Sequence, residues 1–354
     1  MARNLRASGR LMPPSSLRLA SYNVEWMNAL FNDAGQMLAD YQLSARHQIT
    51  RAEQLAALGA VFTALDADGI LIVEAPDQSA HRSTTRALET FAAHFHLRAI
   101  KAVIGFASDT EQEIAFLYDP TRLTVTHDPR GAPATTNGAT GAPRFDTALR
   151  HDINDDGVDE LVIFSKPPLE LAVQTASKTL HLIGVHAKSK APHGRVSPAE
   201  FKRISIDNRR KQLAECHWLR ARAETHLAAG DNLIVMGDFN DGPGIDEYEQ
   251  TFGQSGIEVV LGLTAPPAMR LTDPHAMMAL SSRISLQPTS ARFWLAPAKC
   301  YFEALLDFIM VSPNLAAQNP VWRIWHPFND PQIPPDLSKA ILTASDHFPV
   351  TIDF

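Results

Sequence analysis

Short apolar runs of strand length recur along almost the whole chain, and they constrain its fold more than any other feature. Each run is dense in aliphatic residues and is flanked by Gly, Pro or Asp, which favours strands. Amphipathic helical patterns lie between some of them, and strands mixed with such helices predict a layered α/β fold. The runs span residues 17–23, 69–75, 97–106, 113–119, 160–164, 180–187, 232–238, 305–311 and 348–354, and the helical patterns span 45–65 and 199–228.

The regions between these elements bear on domain organisation. Segments 127–146, 262–304 and 326–338 carry little apolar periodicity and are predicted to be surface loops, the last two long enough to wall a cleft. The sequence contains no clean interdomain linker. Residues 17–354 are therefore predicted to form a single domain, and residues 1–16 a disordered N-terminal segment.

Charge and cysteine content narrow the class of protein. The chain has 354 residues, and 32 Lys and Arg against 39 Asp and Glu give a net charge of −7. This net negative charge argues against broad, non-specific binding of nucleic acid but is compatible with a local basic groove. Cys216 and Cys300 lie far apart and indicate neither a zinc site nor a disulfide framework. With no signal-peptide pattern and no transmembrane segment in the sequence, a cytoplasmic protein is predicted.

Polar side chains stand where several of the predicted strands end. Asn23 ends the first run, Glu74 ends ILIVE, His186 ends LIGVH, and Asp238 and Asn240 end LIVMGDFN. In α/β sheets ligands bind at this edge, so these groups are expected to converge. Each also has a plainer interpretation taken alone, as a turn residue, a surface acid, a capped turn or a core histidine. Their coincidence in one chain favours a site.

The stretch GDFND deserves a local interpretation of its own. Gly237 is interpreted as the point where the backbone turns, so that Asp238 and Asn240 can reach the same group. Asp241 is interpreted as a loop cap and not as a further catalytic acid.

An aspartate near the C-terminus indicates a base. Asp307 lies inside the apolar run LLDFIMV, where an acid is costly unless it is paired. His347, just before the last strand, is the obvious partner. A buried carboxylate bonded to one imidazole nitrogen leaves the other free to act as a general base.

The remaining oxygen-bearing groups indicate a metal ion. Glu74, Asp346, Asn23 and Asp238 are hard ligands with no thiolate among them, so Mg²⁺ or Mn²⁺ is predicted in preference to zinc. Such an ion would neutralise phosphoryl oxygens while an activated water attacks in line. The expected reaction is hydrolysis of a phosphoester.

Six short motifs occur in an order that resembles the endonuclease/exonuclease/phosphatase superfamily, which includes deoxyribonuclease I, repair nucleases, sphingomyelinases and inositol polyphosphate 5-phosphatases. The resemblance implies a metal-dependent phosphoric ester hydrolase whose fold is a four-layer sandwich, two packed mixed β-sheets flanked by helices. It covers nearly the whole chain after residue 16. The motifs span residues 21–26, 73–77, 185–190, 237–241, 306–309 and 345–350.

The resemblance also implies roles for individual residues at the metal and phosphate. Glu74 would be the principal metal ligand, and Asn23 and Asp346 would complete or orient the metal and phosphate site. Asp238 would position the attacking water. Asn240 would bond a phosphate oxygen.

Further implied roles concern proton transfer and phosphate contacts. Asp307 would orient His347, and His186, typical of the deoxyribonuclease I, sphingomyelinase and 5-phosphatase branches, would donate to a phosphate oxygen or the leaving group. Lys166 stands where the family often has Arg and would contact phosphate as a point charge. Tyr118 would be a phosphate-facing phenol or, as an alternative, a packing residue.

Three hypotheses about function remain open. The first is a Mg²⁺-dependent phosphodiesterase, specifically a nuclease; Lys188, which follows His186 within the basic region 188–211, would then contact phosphate, although that region could also be a solvated helix face. The second is a phosphomonoesterase or a phospholipid or sugar-phosphate phosphodiesterase. The third is an inactive binding protein on the same fold. The predicted partner is a phosphoester substrate, nucleic acid being one possibility, and no protein partner is implied.

A second candidate site lies at residues 152–160. Asp152, Asn154 and Asp156 alternate before Gly157, as at the start of a Ca²⁺ loop. The twelfth position is Ile163 where such loops have an acid, so a plain acidic turn is the alternative.

Overall fold

The structure is a computed structural model that describes residues 16–153, 156–191, 197–243, 252–281, 287–295 and 299–354, and the structural statements below concern these residues. Of the predicted disordered segment 1–16, all but Ser16 lies outside them. The strands are β1 (Arg18–Asn23), β2 (Gly69–Ala75), β3 (Lys101–Ile104), β4 (Glu113–Tyr118), β5 (Thr124–His127), β6 (Leu149–His151), β7 (Glu160–Val162), β8 (Leu169–Gln174), β9 (Thr179–His186), β10 (Leu233–Asp238), β11 (Ala291–Leu295), β12 (Cys300–Ala304), β13 (Asp307–Val311), β14 (Val321–Ile324) and β15 (Val350–Asp353). The helices are α1 (Arg51–Leu65), α2 (Thr84–His94), α3 (Pro198–Ala229), α4 (Gly256–Leu261), α5 (Pro274–Leu280), α6 (Pro313–Ala316) and α7 (Pro335–Ala344).

The strands form two large mixed sheets. One has six strands in the order β14-β15-β1-β2-β4-β3, and the other has five in the order β13-β10-β9-β8-β5. In each sheet one central pair is parallel, β1 with β2 and β9 with β10, and its neighbours run antiparallel to it. Two hairpins, β6-β7 and β11-β12, stand apart from the sheets.

Side chains on the central strands alternate between two layers of core. In β1, Leu19 points between the sheets, whereas Ala20 and Tyr22 belong to the core beneath α1 and α7. In β9, Leu182 points between the sheets and Ile183 belongs to the core beneath α3. The result is a sandwich of helices, sheet, sheet and helices, so the predicted α/β fold is confirmed. The core shared by the two sheets supports the proposal that residues 17–354 form a single domain.

The long helices begin and end where capping residues occur. Thr50 and Glu53 form a capping box at the start of α1, and Ser197 and Glu200 form one at the start of α3. Helix α3 ends at Gly230, which adopts the left-handed conformation with φ 75°. Although α3 spans 32 residues, no described helix is long and apolar enough to cross a bilayer.

Gly237 differs from its predicted role. It lies inside β10, opposite Val185 of β9, and the chain stays in the strand through Asp238. Its φ is 138°, and a Cβ there would lie 2.0 Å from the carbonyl oxygen of Val185. Glycine is therefore required for close approach of two strands, and the turn comes later, at Asn240 with φ 50°.

The predicted loop at 262–304 was wrong in part. This range holds α5 and the β11-β12 hairpin, and the range 326–338 holds the start of α7. The hairpin strands carry exposed side chains on both faces, so their sequence lacks the alternation that marks a half-buried strand. Strands β5, β8 and β14, of four to six residues, were also missed.

Candidate active site

The ends of the central strands bring the predicted polar groups to one edge of the sandwich. In the five-stranded sheet Asp238 lies opposite His186 on one side and Asp307 on the other. The two sheets meet through Asn23 at the end of β1, whose Nδ2 donates to Asp238 Oδ2 over 3.0 Å and faces Glu74 Oε1 at 3.4 Å. Five strands and both sheets therefore contribute to one cluster.

Glu74 is turned toward this cluster by an irregularity in β2. The pairing with β4 shifts between Val73 and Ala75, and Glu74 adopts a left-handed conformation with φ 62°. Its Oε2 accepts from the backbone N–H of Trp26 over 2.8 Å. Burial raises the pKa of Glu74 above its ordinary value, against the lowering effect of that hydrogen bond. A bulge that places a partly buried acid at a strand end is typical of a functional position.

Asp238 is held by donors from its own turn. Oδ1 accepts from the backbone N–H of Asn240 over 2.7 Å, and Oδ2 accepts from Asn240 Nδ2 over 3.3 Å. Asn240 Nδ2 also donates to the carbonyl of Ala187 over 3.1 Å. Burial raises the pKa of Asp238 to about 6, although the neighbouring His347 lowers it.

Asp307 and His347 form the hydrogen-bonded pair that the sequence predicts. His347 Nδ1 lies 2.8 Å from Asp307 Oδ2, which also accepts from Ser290 Oγ over 2.8 Å. The other ring nitrogen, Nε2, lies 3.9 Å from both Asp238 Oδ2 and Asp346 Oδ1. Burial lowers the pKa of His347, but Asp307 and Asp238 raise it more, so it lies well above its ordinary value. The surrounding carboxylates thus favour the protonated ring.

A carboxylate that sequence analysis missed lies beside Asp346. Glu25 Oε2 accepts from the backbone N–H of Asp346 over 2.9 Å, and the Arg46 guanidinium pairs with the same oxygen. Burial, together with the charge of Asp346, raises the pKa of Glu25 to about 7. In the sequence, only the position of Glu25 two residues after Asn23 indicates that it could belong to the site.

Lys166 and His186 meet at the same edge. Lys166 Nζ lies 3.2 Å from His186 Nε2, which in turn lies 3.8 Å from Asp238 Oδ2 and 4.0 Å from Glu74 Oε1. An ammonium group can only donate, so His186 Nε2 accepts and its proton lies on Nδ1. Burial lowers the pKa of Lys166 below its ordinary value.

Lys188 lies at the rim of the cluster. Its backbone N–H donates to Glu215 Oε2 over 2.8 Å, and Lys211 Nζ lies 3.9 Å from Glu215 Oε1. Burial, and then the charge of Lys211, lowers the pKa of Lys188. Lys166, Lys188 and Lys211 together give the edge a cationic side.

The structure does not bring Tyr118 to the cluster. Tyr118 pairs with Gly69 at the opposite end of β2 from Glu74, and its ring stacks on Phe116. Five residues of strand separate Gly69 from Glu74, roughly 17 Å at about 3.3 Å per residue. The geometry agrees with the packing alternative, because β4 runs antiparallel to β2 and carries its last residue away from the site.

Two buried glutamines, which the sequence did not single out, hold the loops of the site together. Gln54 of α1 donates from Nε2 to the carbonyls of Glu25 and Ala344, over 2.9 and 3.1 Å. Gln212 of α3 donates from Nε2 to the carbonyls of Lys188 and Asn240, over 2.8 and 2.9 Å. Each helix layer thus contributes one side chain that fixes two loops.

Asp241 is a structural acid, as its predicted role as a loop cap implies. It is fully buried, Oδ1 accepts from Arg209 Nη1 over 2.5 Å, and Oδ2 accepts from the backbone N–H of Gly256 over 2.7 Å. Arg209 is buried too. The pair ties α3 to the turn after β10 and to the start of α4.

Replacement of Asp241 by alanine should lower the free energy of unfolding by about 3–5 kcal/mol, because the buried Arg209 guanidinium would lose its carboxylate and keep neutral acceptors such as Gln212 Oε1. Urea denaturation would measure the loss. The double variant Asp241→Leu/Arg209→Met is the control, and it should lose much less because no unpaired charge remains. A double variant as unstable as Asp241→Ala would show that the pair is not the cause.

The described residues of the acidic stretch, 152, 153 and 156–160, make contacts typical of a turn. Asp152 Oδ1 and Oδ2 accept from the backbone N–H groups of Asp156 and Gly157, over 3.2 and 2.7 Å, and Asp156 Oδ1 accepts from Val158 over 2.9 Å. Asn154 lies outside the described residues. These contacts agree with the alternative interpretation, a plain acidic turn. Ca²⁺ binding stays a prediction.

The donor set of the cluster fits a divalent metal ion. The carboxylate of Asp238 is buried and those of Glu74 and Asp346 are partly buried beside it, and partial desolvation raises the pKa of all three. Ligand atoms of Asp238, Asp307 and His347 also lie within 4.8 Å of one another. Asp307 and His347 already bond each other, whereas Glu74 Oε1 has only the 3.4 Å contact with Asn23 Nδ2 and is the more accessible oxygen for a metal ion.

Fold and site together define a phosphoester hydrolase of the deoxyribonuclease I-like class. The model of the Endonuclease/Exonuclease/phosphatase family matches residues 20–347, and the chain belongs to this family. It is therefore a metal-dependent phosphoester hydrolase. A search of curated proteins finds no match.

Solved structures are similar in fold at low sequence identity. TDP2 from Caenorhabditis elegans is 12% identical, with 98% of this chain and 77% of that chain covered and a TM-score of 0.50. The catalytic domain of human Nocturnin, solved with sulfate, is 11% identical, with 96% and 93% covered and a TM-score of 0.48. The 3′ phosphatase NExo from Neisseria, solved with a product DNA hairpin, is 15% identical, with 96% and 99% covered and a TM-score of 0.46.

Proposed function

We propose that this protein is a Mg²⁺-dependent phosphodiesterase, specifically a nuclease. The observation that carries the proposal is the cluster in which the hydrogen-bonded Asp307–His347 pair faces the buried carboxylate of Asp238, with Glu74 beside it. It combines an oriented imidazole, hard oxygen ligands and a nearby ammonium group. Hydrolysis of a phosphoester needs these three elements.

The metal would be held by residues of the six-stranded sheet. Glu74 is proposed as the principal ligand and Asp346 as a second, while Asn23, whose amide donates to Asp238 and faces Glu74, would orient the carboxylates. Oxygen donors of this kind suit Mg²⁺, and Mn²⁺ accepts the same set. Bound there, the ion would supply Lewis-acid stabilisation of the phosphoryl oxygens and offset the carboxylate charge around His347.

His347, just before β15, would activate the attacking water together with Asp307 and Asp238 of the five-stranded sheet. Asp307 fixes the ring of His347, so that Nε2 faces the cluster and can exchange a proton with a water. Asp238, 3.9 Å from that nitrogen, would position the same water. To bond a phosphate oxygen, Asn240 Nδ2 would give up its hydrogen bond to either the Ala187 carbonyl or Asp238 Oδ2.

The cationic side of the cluster would bind phosphate. Lys166 is proposed as a phosphate contact, with Lys188 at the rim as a second. His186 would donate to a phosphate oxygen or the leaving group. Because its Nε2 accepts from Lys166 in the structure, this role requires that a bound phosphate draw the ammonium away and that the ring proton move from Nδ1 to Nε2.

The β11-β12 hairpin favours a substrate that carries bases. It starts beside the site, since Ala291 bridges to His347 and the N–H of Arg292 donates to the carbonyl of Asp346 over 2.7 Å. Trp294 and Tyr301 are 48% and 55% exposed, and the Arg292 guanidinium lies 3.6 Å from the Tyr301 ring centroid. Exposed aromatic rings and arginine stack on the bases of single-stranded nucleic acid. This surface supports the nuclease over a sugar-phosphate or monoester substrate.

A parallel assay of phosphoesters would test the proposal. With Mg²⁺, we expect EDTA-sensitive cleavage of single-stranded DNA and slower turnover of the small diester methyl p-nitrophenyl phosphate. Turnover of monoesters or lipid headgroups alone would favour the second hypothesis. Metal binding without turnover of any ester would favour the inactive binding protein.

Replacement of Trp294 by alanine should raise KM for single-stranded DNA by about 5- to 100-fold, since stacking contributes roughly 1–3 kcal/mol per base. Turnover of methyl p-nitrophenyl phosphate should stay unchanged because it has no base to stack. Tyr41→Ala is the matched control, an aromatic residue that is 91% exposed elsewhere. Equal KM values for wild type and Trp294→Ala would remove the hairpin from substrate binding.

A further inference from the structure

A second group of metal-ligating side chains lies at the far end of the five-stranded sheet. His181 is near the start of β9, His226 is in the last turn of α3, and Asp231 follows that helix directly. The backbone N–H of His181 donates to the carbonyl of Asn232 over 2.8 Å, which fixes the strand beside the end of the helix. His181 and His186 are five residues apart on one strand, roughly 17 Å at about 3.3 Å per residue. The group is therefore separate from the candidate active site.

The three side chains point their ligand atoms at one place. His226 Nδ1 lies 2.8 Å from Asp231 Oδ2, and His181 Nε2 lies 3.8 Å from Asp231 Oδ1. One ligand atom from each residue lies within 4.8 Å of the others, and the two ring centroids are 5.1 Å apart. Tetrahedral coordination with bonds of about 2.0–2.1 Å separates ligand atoms by about 3.3 Å, between the two measured distances. A small adjustment of the side chains would complete such a site.

The environment of the histidines matches that of metal ligands. His226 is buried, and burial lowers its pKa, which keeps its imidazole neutral and able to coordinate. The second nitrogen of His181, Nδ1, faces Asp128 Oδ2 at 4.0 Å. A carboxylate behind a ligating histidine orients the ring in many metal sites. Arg130 pairs with Asp128, and its positive charge disfavours a nearby cation. The two carboxylates of Asp128 and Asp231 outweigh it, so the surroundings carry a net charge of about −1.

We propose that His181, His226 and Asp231 form a binding site for a divalent transition-metal ion, Zn²⁺ by its donor set, with a water as the fourth ligand. Two imidazoles and one carboxylate suit Zn²⁺ and not Mg²⁺. The ion would link the start of β9 to the end of α3, the helix that carries Gln212 at the active site.

The rival explanation is a helix cap without metal. The backbone N–H of Asp231 donates to the carbonyl of His226 over 3.0 Å, so the His226–Asp231 contact could simply close the end of α3. The substitution His226→Gln separates the two explanations. Glutamine can still donate a hydrogen bond to Asp231 but is a poor zinc ligand.

Zinc titration of the metal-stripped, full-length protein in the presence of excess Mg²⁺ tests the proposal. We expect wild type to bind one more equivalent of Zn²⁺ than His226→Gln and to show a larger rise in Tm on Zn²⁺ addition. His217→Ala is the matched control, since it removes an imidazole from another tilted ring pair on α3, with His151. Co²⁺ in place of Zn²⁺ should give the visible absorption of tetrahedral coordination in wild type and His217→Ala but not in His226→Gln.

The outcomes are distinct. Equal stoichiometry and equal Tm shifts for wild type and His226→Gln would overturn the proposal and leave the helix cap. If His226→Gln fails to fold, His181→Gln provides the same comparison without touching the helix end. Hydrolysis of phosphoesters with Mg²⁺ should be the same in wild type and His226→Gln, so failure of the proposed function would not alter this result.

Discussion

Replacement of His347 by alanine should lower kcat for phosphodiester hydrolysis by about 10²- to 10⁴-fold, the range that general acid–base groups contribute. The reason is positional: Nε2 is the ring nitrogen that faces Asp238 and Asp346, while Nδ1 is bonded to Asp307. Steady-state kinetics on methyl p-nitrophenyl phosphate with saturating Mg²⁺ would measure the loss. A variant with the wild-type rate would exclude His347 from the chemistry.

The partner substitution Asp307→Asn should cause a loss of similar size. An amide at this position could donate to Nδ1 and hold the ring in the wrong tautomer, whereas the carboxylate accepts from it. Because the two residues act as a unit, the double variant should be little worse than either single one. Ser290→Ala is the control: Ser290 also bonds Asp307 Oδ2 but leaves the His347 contact intact, so a much smaller loss is expected. Multiplicative losses in the double variant would show that the two residues act separately.

Strand ends were the most predictable part of this protein. The apolar runs that end at Asn23, Glu74, His186 and Asp238 became strands β1, β2, β9 and β10, and their ends meet at one edge. Residues follow one another along an extended strand at a constant rise. The last residue of an apolar run therefore lies at the edge of the sheet. Asp307 could be identified because an acid inside an apolar run requires a partner.

Contacts between distant positions left no such signal. The Arg46–Glu25 pair joins two loops, the contacts of Gln54 and Gln212 join helices to loops, and no periodicity marks any of them. The position of Tyr118 could not be predicted for a different reason. Tyr118 is the last residue of β4, and the direction of β4 determines which end of the sheet it reaches. Strand direction depends on sheet topology, which the run itself does not contain.

The bulge at Glu74 allows the metal ligand to be tested without loss of its structural contact. Glu74→Gln keeps an oxygen that can accept from the backbone N–H of Trp26, as Oε2 does now, and removes the negative charge. We expect the Mg²⁺ concentration for half-maximal activity to rise by at least about 10- to 100-fold, the loss seen even when groups behind a ligand are removed. Titration of activity with Mg²⁺, with calorimetry of Mg²⁺ binding, would measure the change.

The matched control is Glu215→Gln, which removes a buried carboxylate at the same edge that contacts Lys188 and Lys211 instead of the cluster of acids. Burial raises the pKa of Glu215 to about 7, so its charge is already weakly held and its removal should leave the Mg²⁺ requirement unchanged. If Glu74→Gln instead keeps the wild-type Mg²⁺ dependence, the metal cannot depend on Glu74. The ligand atoms of Asp238, Asp307 and His347, within 4.8 Å of one another, would then be the remaining candidates, and His347 would be a ligand and not a base.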